Sequence, residues 1–372
     1  MHRQFSRRDL LRMCTVGLGA LAFRPPRRER PLAAGLLPAV PPGTLLGRVI
    51  DPLDLRTEPN TLAPALTTLY EDTLIEWKRE VIGAAQGLIS QRWIETSDGY
   101  LYAPAVQPVR NEPNTPLASL PAGQVGFWAE VTVPFVDLVL QSAPISPWIK
   151  SLQQYGFPPR LYFGQVVWID QVRTDNNGVP VYRWNEDFGH GYGYGDIFWA
   201  EGAALRPLAP GDIAPLSPDI DPASKRIVVD VNYQTLSCFE SSREVFFCRV
   251  STGAKWDAAG NLVDNWATPV GDLNTHWKII SLNMSAGTTA AGYSTPAVPW
   301  CTFIHGDGVA IHGAFWHNDF GTPRSHGCIN CRPQDAKWIF RWTTPPITLE
   351  QPEQRLTWPD HGTVVSVTER VV

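Results

Sequence analysis

The stretch Ser325-His326-Gly327-Cys328-Ile329-Asn330-Cys331-Arg332-Pro333 crowds two cysteines, a histidine and a glycine into nine positions. Three chemistries compete for it. Cys328 and Cys331 form C-x-x-C, the spacing of a redox pair or of half a metal site, whereas Ser325-His326-Gly327 ahead of Cys328 suggests a thiol nucleophile on a tight turn. Redox motifs of this spacing open a helix after a strand in a βαβ setting, and no such pattern precedes Cys328. His305, His312, His317 and His326 lie nearby, but with the two cysteines they match no common zinc spacing. No metal and no cofactor is therefore expected. Cys331 then reads as a small apolar residue for packing.

The rest of the chain sets the frame. A length of 372 residues suits two or three domains. Hydrophobic residues at 44%, with 15 Trp and 34 Pro, describe a loop-rich globular protein of many short strands. A formal charge of -5 leaves no polybasic footprint, so nucleic acid is not an expected partner. Nothing in the sequence fixes an oligomeric state.

The N-terminus reads Ser6-Arg7-Arg8-Asp9-Leu10-Leu11, followed by an apolar run from Met13 to Phe23. That run is about half the ~20 residues a membrane helix needs, so it resembles a signal core. Its paired arginines resemble a twin-arginine export signal, and Arg24, Arg27, Arg28 and Arg30 beyond the run oppose the general secretory route. Residues 1–43 are expected to be export signal and linker, which implies a place in the cell envelope, periplasmic or wall-associated.

From Thr44 to about Pro215 short β-type runs alternate with Gly, Pro and Asn, with no helical period. Two stretches recur there. LYEDTLIEW (69–77) is echoed by LYFGQVVWI (161–169), and DGYLYAPAVQPV (98–109) by GDIFWAEGAALRPL (195–208). The repetition predicts two copies of one small barrel, and the strand, turn and x-Pro close resembles bacterial SH3-like modules. The expected modules are 44–110 and 111–216. Trp77, Trp93, Trp128, Trp168, Trp184 and Trp199 crowd this half, as core or as rings for stacking on wall glycan. Tyr192 and Tyr194 lie in a Gly-flanked loop.

The pattern changes near Ser217. Lys225 to Gly253 predicts two apolar strands joined by the polar turn Glu240-Ser241-Ser242-Arg243. With the turn at Ser241-Ser242, position 245 opposes 238 and the thiols of Cys238 and Cys248 fall on opposite faces, which disfavours a disulfide. Then V-D-x-x-x-Q-x-L (229–236), V-S-T-G (250–253), T-P-x-G (268–271), I-H-G (311–313) and S-H-G-C-I-N (325–330) follow in order. That series resembles the catalytic domain of the L,D-transpeptidases, the peptidoglycan cross-linking enzymes, over residues 217–372.

The resemblance implies a mostly-β protein, an L,D-transpeptidase-type β-sandwich or barrel preceded by small SH3-like barrels. It also implies roles. Cys328 is the expected nucleophile, since a thiolate adds to a carbonyl and leaves again. His312 is the expected base, oriented by the Gly313 carbonyl in place of a triad carboxylate. The N–H groups of Gly327 and Cys328 are the expected oxyanion donors, with Ser325 and His326 shaping the site. Asn330 stands where many relatives carry arginine and others asparagine. The partners implied are peptidoglycan stem peptides, with glycan contact by the N-terminal modules. Resolution of the thioester by water would make the enzyme an L,D-carboxypeptidase, and a vestigial site would leave a wall-binding protein.

Overall fold

The computed structural model describes residues 43–188, 195–255, 266–286, 293–357 and 359–370. The leader with Arg7 and Arg8 lies outside them, as do Tyr192 and Tyr194. Short strands dominate throughout, as the Gly- and Pro-punctuated sequence predicts.

Residues 45–110 build two small antiparallel sheets. Leu45–Val49 pairs with Leu74–Glu76 on one side and Val106–Arg110 on the other. The second sheet runs Ala65–Leu69, Leu53–Arg56, Tyr100–Tyr102, Arg92–Glu95, Arg79–Ile82. Leu55, Ile94, Leu101, Ala103 and Val106 form the core beneath them. Residues 127–207 build a six-stranded sheet and a separate two-stranded one. The sequence echo has a structural counterpart: Tyr100–Tyr102 and Ile197–Glu201 each run through a single 3-10 turn into another strand, Val106–Arg110 and Leu205–Pro207 respectively.

A nine-residue helix interrupts this half where no helical period is legible. Pro147–Tyr155 starts with Pro at its first position and stops at Gly156, which adopts the left-handed conformation that glycine supplies at a C-cap. Nine residues are too few for periodicity to register, so the two punctuating residues carried the signal. The tryptophans are mainly core: Trp93, Trp128, Trp184 and Trp199 are buried, and Trp128 packs edge-on against Trp168 at 5.4 Å. Those four rings offer no open face for stacking on a sugar.

The C-terminal part consists of two five-stranded sheets that share one core. The first runs Arg243–Arg249, Thr235–Glu240, Lys225–Asp230, Val364–Thr368, Gly271–Asn274. The second runs Ile329–Cys331, Val309–Gly313, Tyr293–His305, Trp277–Ala286, Glu353–Arg355. Ile227, Val229 and Leu236 of the first meet Ile280, Ile304, Ile311 and Ile329 of the second, with Ile339 and Phe340 of the helix Pro333–Trp342 between the apolar faces. Lys278, fully buried, donates to the carbonyls of Phe340, Thr343 and Pro345 at the C-terminal end of that helix, while burial pulls its ammonium well below the ordinary lysine range. Trp128, Val166, Leu208 and Ile213 belong to the same core, so the preceding strands and the two sheets are packed as one body. No helix among the described residues is long and apolar enough to cross a membrane.

Two local expectations are corrected here. The stretch from Lys225 holds three strands, because a turn at 231–234 precedes the one at Ser241-Ser242. A bulge between Cys238 and Phe239 then moves the partner of Cys238 from Val245 to Phe246, while Cys248 opposes Leu236. Cys238 and Cys248 consequently face the same core, both as free thiols.

Candidate active site

Strand geometry separates the two cysteines of the pair. Val309–Gly313 and Ile329–Cys331 pair in parallel, with Ile311 beside Ile329 and His312 beside Asn330. Successive side chains point to opposite faces, so residues three apart on an extended segment diverge. Cys331, Ile329 and Ile311 enter the core, whereas Cys328, Asn330 and His312 lie on the other side.

The turn that carries Cys328 is held by the motifs upstream of it. Gln234 accepts from the Thr252 N–H at 2.8 Å and donates to Thr252 Oγ1 at 2.6 Å. The Thr252 carbonyl in turn accepts from the N–H groups of Arg324 and Ser325. Thr268 Oγ1 accepts from the Gly253 N–H and donates to the Gly327 carbonyl, each at 2.8 Å. A Cβ at Gly253 would come within 1.9 Å of the Trp266 carbonyl oxygen, so only glycine allows this approach. Gly327 has φ +120°, a conformation closed to L side chains. Ser325 Oγ closes the turn by donating to the Cys328 carbonyl at 2.5 Å and accepting from the Gly327 N–H at 3.1 Å. Of the two expected oxyanion donors, the Gly327 N–H is thus already engaged.

His312 is 2% exposed and its Nδ1 lies 3.2 Å from the Gly313 carbonyl. A carbonyl only accepts, so the proton sits on Nδ1 and Nε2 carries the free lone pair, a base's tautomer. Burial pulls the imidazole down to about 4, so the ring is neutral. Burial likewise pushes the Cys328 thiol up to about 11, against the Ala310 N–H, which favours the thiolate. The pair is therefore thiol and imidazole at neutral pH. Cys328 Sγ is directed at the Gly308 carbonyl, 3.8 Å away. Cys301, buried on the adjoining strand, is pushed well above the ordinary thiol range and stays inert.

The segment after His312 contributes residues that the sequence left unassigned. Trp316 lies 5.8 Å from the His312 ring, tilted, and packs with Cys328 on the same apolar patch. His317 is buried, its Nδ1 accepts from the Asp319 N–H, and its Nε2 lies 3.0 Å from the Asn330 amide. With Nδ1 accepting, the neutral ring holds its proton on Nε2, so the amide oxygen of Asn330 must face it. Aromatic spacing in F-W-H-N-D-F hinted at packing, but not at which histidine it served. His326 is exposed, edge-on to Trp266 at 4.5 Å.

Residues 224–367 match the YkuD family model, the L,D-transpeptidase catalytic domain. The match takes in Gln234, Ser251, Thr268, His312 and Cys328 together. Among solved structures the chain is similar to an avibactam carbamoyl enzyme, at 23% identity over 40% of this chain and 50% of that one, TM-score 0.29. It is similar to an Enterococcus faecium L,D-transpeptidase at 22% identity, over 44% of this chain and 56% of that one, TM-score 0.30. An L,D-transpeptidase from Mycobacterium smegmatis is 17% identical over 68% of this chain and 100% of that one, TM-score 0.30. The chain spans about half the length of the first two. No curated protein matches it.

Proposed function

We propose that the protein is a peptidoglycan L,D-transpeptidase that works through an acyl-enzyme on Cys328. The observation that carries this is the parallel pair, which sets His312, neutral and with Nε2 as its lone-pair nitrogen, on the same side as Cys328. A neutral base suits a neutral thiol: His312 takes the proton as sulfur adds to the carbonyl, so no thiolate need be stored. The carbonyl attacked is that of the third residue of a tetrapeptide stem. The Cys328 N–H, at the turn held by Ser325, is the donor proposed for the oxyanion. His312 then returns the proton to the departing amine of the terminal D-amino acid. An amine of a second stem resolves the thioester. Residues 217–372 are assigned the chemistry, and 44–110 and 111–216 are assigned as SH3-like modules. The paired Arg7 and Arg8 are assigned as the export signal that delivers the chain to the envelope.

Intact mass spectrometry after exposure to a carbapenem tests the reading. One adduct, absent in Cys328→Ala, is expected. Absence of any adduct on the parent chain would refute it. Incubation with a tetrapeptide stem then separates the cross-linked dimer of a transpeptidase from the tripeptide of an L,D-carboxypeptidase.

A further inference from the structure

The segment Ala314–Phe320 carries Trp316 and His317 to the site, yet much of its backbone bonding is made outside the catalytic sheets. Arg48, from the strand Leu45–Val49, donates through Nη2 to the Phe315 carbonyl at 3.0 Å. That guanidinium is itself fixed on every side. Nε donates to Gln107 at 2.9 Å, Nη1 pairs with Asp72 at 2.9 Å, and the group lies 4.0 Å over the Tyr162 ring. Asp72 is shared with Arg160 of the second strand set. Three residues along, Arg92 donates to the Asn318 carbonyl at 3.1 Å. Asn318, wholly buried, donates its N–H to the Pro104 carbonyl and its side-chain amide to the Ala103 carbonyl, at 3.0 and 3.1 Å. Ala103 and Pro104 belong to the 3-10 turn of the repeated strand–turn–strand unit.

These contacts have a consistent direction. A buried arginine costs several kcal/mol in desolvation, on the order of what a buried ion suffers, unless its donors are all met. Spending one donor on a main-chain carbonyl beside Trp316 ties that cost to one loop conformation. We infer that residues 45–110 position the catalytic loop, with Arg48 and Arg92 as positioning residues that hold Trp316 against His312 and His317 against Asn330. The inference rests on the acyl-transfer reading of Cys328. The repeated module is then part of the active site's framework, whatever it also does at the wall. It acts through Trp316 and His317 and touches no reacting atom.

The test uses the full chain with Arg48→Lys, which keeps the charge but not the planar fork, and Arg92→Gln. Arg92 is less buried than Arg48, 18% against 4% exposed, and its loss strands no buried charge because Glu80 is 36% exposed, so the second variant folds even where the first does not. Two rates are read: acylation by a carbapenem, and alkylation of Cys328 by iodoacetamide as a function of pH, with peptide mass mapping of every thiol. Acylation is expected to fall on the order of tenfold for Arg48→Lys and severalfold for Arg92→Gln, because misplacing positioned groups by an ångström costs such factors. Alkylation of Cys328 is expected to rise severalfold at neutral pH with a lower midpoint, as Trp316 leaves the sulfur more hydrated. Cys238, Cys248 and Cys331 stay protected. Unchanged rates at Cys328 in the folded variants overturn the inference. So does reactivity of Cys238, Cys248 and Cys331 rising together with that of Cys328, which marks plain loss of stability. A parent chain that takes no carbapenem defeats the acyl-transfer reading instead, and the alkylation profile still decides whether the loop is positioned from residues 45–110.

Discussion

Cys328 and His312 are both uncharged at neutral pH, and that state has measurable consequences. With the thiol near 11, the thiolate fraction grows about tenfold per pH unit below that value. Iodoacetamide alkylation of Cys328 should therefore climb steadily between about pH 7 and 10, whereas a stored thiolate–imidazolium pair would give a plateau across neutrality. His312 links the site to stability. Its folded value of about 4 lies below the ordinary 6.5, so between those values the unfolded chain binds the extra proton and stability falls as pH falls. From about pH 7 to about pH 5 the loss amounts to about 2 kcal/mol. His312→Gln should flatten urea denaturation midpoints over that range by this amount; equal pH dependence in both proteins would refute the assignment. His317, held well below its ordinary value by burial, adds a loss of the same sign to both proteins. The cysteines separate by face. Cys328→Ala should abolish the carbapenem adduct, while Cys331→Ala should keep it at a cost on the order of 1 kcal/mol in packing.

At the scale of elements, the site is a turn suspended from the segments that carry Gln234, Thr252 and Thr268. Thr268 is the clearest link, because its hydroxyl alone joins Gly253 to Gly327 across the site. Thr268→Val keeps the shape and removes both bonds, leaving a buried N–H and a buried carbonyl without their partner. The expected cost is about 1–3 kcal/mol in chemical denaturation, with slower acylation at Cys328. Full activity with native stability would show that the backbone holds the turn unaided. The parallel pair Val309–Gly313 and Ile329–Cys331 is equally decisive, since a slip of one residue would send Cys328 into the core and Cys331 to the site.

For the whole molecule, the shared core sets what can be separated. Residues 217–372 made alone would expose the face now covered by Trp128, Val166, Leu208 and Ile213. Such a fragment is expected to be insoluble or to bind ANS strongly, whereas a chain retaining 111–372 keeps that cover. A soluble, ANS-silent fragment 217–372 with native near-UV circular dichroism would contradict this. Electrostatics joins the parts too: Asp72 of the first strand set pairs with Arg48 of the same set and Arg160 of the second.

The sequence by itself determined the strand-rich class, the repeated strand–turn–strand unit and the nucleophile candidate, because glycine and proline punctuation, period-2 patterning and the S-H-G-C turn act over a few residues. It did not reveal the helix Pro147–Tyr155, too short for a period, or the bulge at Cys238, which depends on how two strands settle against a common core. The tertiary structure decided three things. A parallel pairing across sixteen residues of chain, 312 to 328, put the His312 imidazole and the Cys328 thiol on one face. Burial made both groups neutral. Arg48 and Asn318, 270 residues apart in sequence, met around one loop, because contacts of that separation are set by packing and leave no local pattern to read.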